Sequence, residues 1–143
     1  MINHSAVLNA LQAACIADAT ILSKLGLTGA TAIVKAQGII KTSQYQDLAG
    51  GKARLCIFTL PARTTGSSLI MEDIIEIDCH VPAGGNSMYA YDVQDRLFTL
   101  LHEKVFAYHR FYYLGTLGEL PTADNYVCVG ARFRFYPTTK NAS

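Results

Sequence analysis

The sequence predicts an α+β fold: a mainly antiparallel sheet with two principal helices on one face and a projecting hairpin, in one domain covering residues 1–143. Three observations predict it. From Leu69 to Val81 the chain alternates, with Leu69, Met71, Ile75, Ile77, Cys79 and Val81 on one side and Glu72, Glu76, Asp78 and His80 on the other. That period of two marks a strand in a half-buried antiparallel sheet. Pro82-Ala83-Gly84-Gly85 breaks it, and apolar residues at helical spacing follow at once. A second alternating run, Asn125–Pro137, sets Val127, Val129, Ala131, Phe133 and Phe135 against Tyr126, Cys128, Arg132, Arg134 and Tyr136.

The elements follow in order. Asn3 can cap a helix from about His4 to about Ala17, whose stripe is Val7, Leu8, Leu11, Ala14 and Cys15. Asp18 can cap a short helix, Ala19–Leu25, which Gly26 ends. Ala30–Lys35 reads as a short strand, and Gln37–Gly51, polar and without a clear period, as loop. Arg54–Leu60 reads as a strand stopped by Pro61, with Ala62–Ser68 as a polar hairpin loop leading into Leu69–Val81. A helix from Ser87 to about Lys104, capped by Asn86 or Ser87, turns Ala90, Val93, Leu97, Leu100 and Leu101 to the core and Asp92, Arg96, Thr99 and Glu103 away. Tyr91 and Phe98 share its flank, about 100° from the stripe centre by the helical period. Phe106–Leu114 reads as a strand with aromatics on both faces, Gly115–Asp124 as a turn region, and 138–143 as a loose tail. If the two long strands pair antiparallel, the acids of one polar face meet Arg132 and Arg134 of the other, each pair worth roughly 0.2–1 kcal/mol.

Composition narrows the classes. A chain of this length buries roughly 70% of its unfolded surface. Half the residues are apolar and 16% charged, which excludes a disordered chain and favours a subunit that hides surface in an assembly. Net charge is +1 with no block of like sign, against an extended nucleic-acid footprint. The N-terminal residues lack the basic start of a signal peptide, and no apolar run approaches the roughly 20 residues that cross a bilayer. The four cysteines stand singly, which reads as reduced thiols in a protein made in the cytoplasm.

No pattern announces catalysis, a cofactor or a metal. Asp78-Cys79-His80 fails as a nucleophile with its base, because adjacent strand residues point to opposite faces. No paired Cys or His spacing resembles a zinc site, and the histidines read as solvated or capping. Gly84-Gly85 lacks the Lys-Ser/Thr of a phosphate loop. The aromatic-basic runs Lys104–Tyr113 and Ala131–Tyr136 suit a base-stacking platform, yet neither matches the motif of RNA-recognition sheets, and packing plus subunit contact is the favoured reading.

The order helix, strand, strand, long strand, helix, strand, strand, in a chain of this length, resembles the tail terminator and neck (tail-completion) proteins of long-tailed bacteriophages. The parts that carry it are the helix Asn3–Ala17, the hairpin Arg54–Leu60 with Leu69–Val81, the helix Ser87–Lys104 after the turn Pro82–Gly85, and the closing strand Asn125–Pro137. The resemblance is one of layout and quotes no short motif. It implies a virion protein without catalysis, cofactor or membrane: a homo-oligomeric ring, commonly a hexamer, at the head-proximal end of the tail. Its partners would be the tail tube protein and a head-tail connector or neck protein, with genomic DNA passing through the lumen without sequence-specific binding. The expected interface residues are Arg63, Thr64 and Thr65 of the hairpin loop, Tyr91 and Phe98 of the helix flank, and Tyr108, Arg110 and Tyr112 of the aromatic strand. Two other classes stay open. One is a small enzyme or ligand-binding domain with Glu76, Asp78 or His80 as acid/base groups in a pocket between sheet and helices. The other is a single-strand nucleic-acid binder using Tyr108, Tyr112, Arg132 and Arg134.

Overall fold

The computed structural model describes residues 2–44, 51–64 and 71–136, with side chains for all of these except 62–64 and 71. The fold is α+β: helices α1 (His4–Ile16), α2 (Ala19–Lys24) and α3 (Ala32–Gly38), strands β1 (Ile39–Ile40), β2 (Arg54–Thr64) and β3 (Met71–Pro82), helix α4 (Tyr89–Leu101), and strands β4 (Val105–Phe106), β5 (His109–Arg110), β6 (Tyr112–Leu120) and β7 (Tyr126–Phe135). Five strands form one sheet in the order β1-β2-β3-β7-β6, with β1 parallel to β2 and the other pairs antiparallel. β4 and β5 make a separate two-stranded ribbon.

The caps behave as their chemistry demands. Asn3 Oδ1 accepts from the Ala6 amide at 3.0 Å, and Asp18 Oδ2 from the Ile21 amide at 3.0 Å, each satisfying a donor that the first helical turn leaves over. Gly26, at φ +71°, ends the second helix after its Leu25 cap. One core cluster joins Val7, Leu11 and Cys15 of α1, Ala90, Val93, Leu97 and Leu101 of α4, and the sheet face of Ile57, Ile75, Ile77, Val129, Ala131 and Phe133. Burial of these side chains from both helices against one sheet face supplies the main driving force, at roughly 1.5–3 kcal/mol for each large one.

Several local expectations are corrected. Ala30–Lys35 is not a strand: Thr31 Oγ1 accepts from the Val34 amide at 3.3 Å and starts α3, so a cap overrides the β preference of Ile33 and Val34. The expected loop Gln37–Gly51 begins inside that helix and contains β1; residues 45–50 lie outside the described set. Pro61 does not stop β2, which runs to Thr64. Leu60 pairs with Ile74 and Arg63 with Glu72, so one extra residue is accommodated as a bulge beside Pro61. Proline, lacking a donor, is tolerated at such a place. Thr65 to Ser68 of the expected hairpin loop, together with Leu69 and the tail 138–143, lie outside the described residues.

α4 is shorter at both ends than its pattern suggests. It has no side-chain cap, since Asn86 Oδ1 accepts from the Met88 amide in the preceding turn, and it ends at His102 in extended backbone. The expected strand Phe106–Leu114 is broken in two. Ala107 and Tyr108 take φ +50° and +70°, as in a type I′ hairpin turn, and fold β4 onto β5. Most of the expected turn region Gly115–Asp124 is strand: β6 reaches Leu120, bulging once between Tyr113 and Gly115 and again between Thr116 and Gly118.

The largest difference concerns the far face of the sheet. A half-buried sheet would leave the even-numbered residues of β3 in water, yet Glu72, Glu76 and His80 are buried, as are Cys56, Ile74 and Cys128. The two β6 bulges are the local reason, since a bulge strengthens twist and re-aims side chains. Leu120 Cδ1 and Leu117 Cδ1 come to 2.7 and 3.3 Å of the point where a Gly130 Cβ would stand, so β6 curls over the middle of that face.

Candidate functional site

Two places on the molecule carry more than packing. The first is the polar cluster beneath β6. The antiparallel register sets Cys56 opposite Asp78, Asp78 opposite Gly130, His80 opposite Cys128 and Glu76 opposite Arg132, all on the face away from the helices. Arg132 Nε donates to Glu76 Oε1 at 2.8 Å, so the expected cross-strand charge pair forms; Arg134 instead stands opposite Ile74, with its guanidinium 5.7 Å from the Tyr112 ring. His80 Nδ1 lies 2.7 Å from Thr122 Oγ1, and its Nε2 lies 3.7 Å from Cys128 Sγ. One ligand atom each from Asp78, His80 and Cys128 fall within 4.8 Å of one another. Asp78 Oδ1 is buried and has no hydrogen-bond partner among the described residues.

Burial sets the protonation of this cluster. Desolvation holds Asp78 far above the usual carboxylate range, helped by its hydrogen bond to Glu76 and that neighbour's charge, with Arg132 pulling the other way. Desolvation also drives His80 down to about 4 and raises Cys128 to about 12. At neutral pH the group is a carboxylic acid, a neutral imidazole and a thiol. None of these is poised as a nucleophile, since the reactive form of cysteine is the thiolate. Cys79 faces the helix-side core, as strand geometry requires, and cannot join them.

The position of these groups corrects one expectation. Glu76, Asp78 and His80 do not line a pocket between sheet and helices; they lie across the sheet from them. The groove on the helix side, about 460 Å³, is bordered by Leu25, Leu27, Val34, Lys52, Arg54 and Tyr89 among others and contains none of the three.

The second place is the apolar surface at the two ends of the strand order. Beside β6, Phe98 on α4 is 43% exposed, stacks on His102 at 4.7 Å and meets the edge of Tyr113 at 5.1 Å; Leu114 and Leu117 are exposed nearby on β6 itself. Beside β1, helix α3 exposes Ile33 at 71% and Val34 at 44%.

The expected interface residues are dispersed across these parts. Tyr108 is 84% exposed at the β4–β5 turn. Arg110 is exposed on β5 and donates to the Glu103 carbonyl at 2.7 Å. Tyr112, half-buried, starts β6, so Tyr108, Arg110 and Tyr112 do not share one strand. Tyr91 is half-buried against the core, and Arg63 and Thr64 belong to the end of β2. Of the residues named for a nucleic-acid platform, Arg134 stands opposite Tyr112 with its guanidinium 5.7 Å from that ring, Arg132 is exposed and pairs with Glu76, and Tyr108 sits on the separate β4–β5 turn.

Sequence reasoning passed over Cys128 and Thr122 as neighbours of His80, because the register of β3 with β7 and the turn after β6 bring them in from 48 and 42 residues away. The expectation of solvated or capping histidines is corrected at two of them: His80 and His109 are buried, the latter with Nδ1 2.8 Å from the Tyr136 carbonyl. Gln94, a polar side chain on α4, lies in the core and donates to the carbonyls of Ile77 and Val129 at 3.0 and 2.6 Å. Asp18 was legible as a cap but not as the partner of Arg96, which grips it with bonds of 2.7 and 3.1 Å and holds its carboxyl below the usual range.

No family model matches this chain, and no curated protein matches it. No helix among the described residues is long and apolar enough to cross a membrane.

Proposed function

We propose that this chain is a structural, non-enzymatic virion subunit that closes into a ring at the head-proximal end of a long-tailed phage tail, ends growth of the tail tube and joins it to the head. The layout of its helices and strands suggests that role. The observation that carries it is the presence of exposed apolar groups at both ends of the strand order: Phe98, Leu114 and Leu117 beside β6, and Ile33 and Val34 beside β1. Two unlike sticky edges on opposite sides of one subunit suit a head-to-tail contact, which closes into a ring when the rotation permits.

The test is a complementation of edges. Phe98→Ser and Ile33→Ser should each abolish rings seen by negative-stain microscopy. Mixed together, the two variants should form a heterodimer by light scattering, because each keeps the edge the other has lost. A wild-type protein that stays monomeric at high concentration and forms no rings with its tail tube partner refutes the proposal. Single variants that still close into rings place the contact elsewhere.

A further inference from the structure

We propose that Asp78, His80 and Cys128 form a binding site for a zinc ion that clips β3 to β7 on the sheet face opposite the helices. Three independent features point there. First, the donor set is a carboxylate, an imidazole and a sulfur, the three ligand types that zinc accepts, and the ligand atoms lie within 4.8 Å of one another. Around a tetrahedral zinc two such ligands stand about 3.3–3.8 Å apart, given the usual metal–ligand lengths. The 3.7 Å between His80 Nε2 and Cys128 Sγ already meets that spacing, and Asp78, within 4.8 Å of both, would have to draw in on binding.

Second, the outer partner of the imidazole is in place. Thr122 Oγ1 lies 2.7 Å from His80 Nδ1 and can accept from it; in that tautomer Nε2 presents its lone pair toward Cys128. A second-shell bond of this kind orients a metal-bound histidine. Third, Asp78 Oδ1 is buried without a hydrogen-bond partner among the described residues, and Gly130 opposite keeps open the space it occupies, since a Cβ there would collide with it. A buried carboxylate oxygen with no donor to accept from is explained if it coordinates a cation.

Asp78 is the most solvent-reached of the three and supplies the way in. On binding, the Cys128 thiol and the Asp78 acid release their protons to solvent, and a water completes four-coordination. The ion would be structural: its ligands come from the two central strands, so it would lock the register at the root of the β2–β3 hairpin.

The test uses the full chain, freed of metal with a chelator and titrated with Zn(II) by calorimetry and with Co(II) as a spectroscopic surrogate. One equivalent should bind, with a thiolate-to-cobalt charge-transfer band and a rise in melting temperature that chelation reverses. Cys128→Ser should remove the band while far-UV circular dichroism stays unchanged, His80→Asn should weaken zinc binding by at least tenfold, and Cys56→Ser should leave both as in wild type. No stoichiometric binding, or a band that survives Cys128→Ser, overturns the assignment.

Discussion

Asp78→Asn should flatten the pH dependence of stability between about pH 6.5 and 8. In the folded protein Asp78 keeps its proton to about 8, against 3.8 ordinarily, so through this window the folded state binds a proton that the unfolded chain has released. Stability contributed by that proton is complete below the unfolded value and is lost as pH rises through the folded one. His80 acts in the opposite sense: its folded value is about 4 against 6.5, so its contribution falls away only as pH drops below 6.5. From pH 6.5 to 8 Asp78 therefore acts without an opposing change at His80. One uncompensated proton is worth about 1.4 kcal/mol per pH unit, an upper bound of about 2 kcal/mol across the window. Asp78 is partly exposed and shares its charge with Glu76, so about 1 kcal/mol is the working figure, or about 3 °C in melting temperature for a chain of this size. The amide of the variant still donates to Glu76 but has nothing to ionise. Urea unfolding followed by circular dichroism, with chelator present, should show wild type losing stability toward pH 8 and the variant holding level and exceeding it there. Equal wild-type stability at both pH values, or an unchanged slope in the variant, refutes the account of the cluster as an acid held by burial.

Gly130→Ala should destabilise by about 1–3 kcal/mol, the usual range for overpacking, because its methyl group meets Asp78 Oδ1, Leu120 and Leu117 at once; urea midpoints measure it, and Leu120→Ala in the same chain should recover part of the loss. Asp18→Ala removes both the α2 cap and the anchor for Arg96, costing about 1 kcal/mol from the cap alone and more from the pair, and Arg96→Met should cost less than Asp18→Ala in the same denaturation assay. Tyr108→Ser, at the tip of the β4–β5 turn, should leave the melting temperature within about 2 °C, since the ring is exposed and neither residue is a glycine that would relieve the left-handed backbone at φ +70°.

The parts of the fold that were legible from sequence are those where one local rule suffices. Asn3 and Asp18 cap the helices they precede, Ile75, Ile77 and Val129 face the core by parity, and Glu76 meets Arg132 because two complementary strands pair. The misread parts turn on competition between rules. Ile33 and Val34 favour a strand, but Thr31 offers an amide cap and helix α3 wins. Ala107-Tyr108 adopts a left-handed turn with none of the Asn-Gly chemistry that signals one, so a single aromatic strand became a ribbon and the start of β6. The cluster of Asp78, His80 and Cys128 was illegible for a further reason: its members are adjacent only in the register of β3 with β7, and burial on that face depends on two bulges in β6 that no periodicity reports.

Those bulges bear on recognition. A regular β6 would have left Asp78 and its neighbours facing water, and the natural reading would be a polar binding face. Curled as it is, with Leu117 and Leu120 against Gly130, β6 closes the middle of that face, while α1 and α4 close the other. Among the described residues, exposed large apolar groups remain at the ends of the strand order, on the β4–β5 ribbon and at the start of α4, where Met88 and Tyr89 stand. A subunit closed over its sheet centre and sticky at its edges meets its neighbours sideways, and that geometry is why the ring proposal stands or falls on the edge variants and not on any change at the buried cluster.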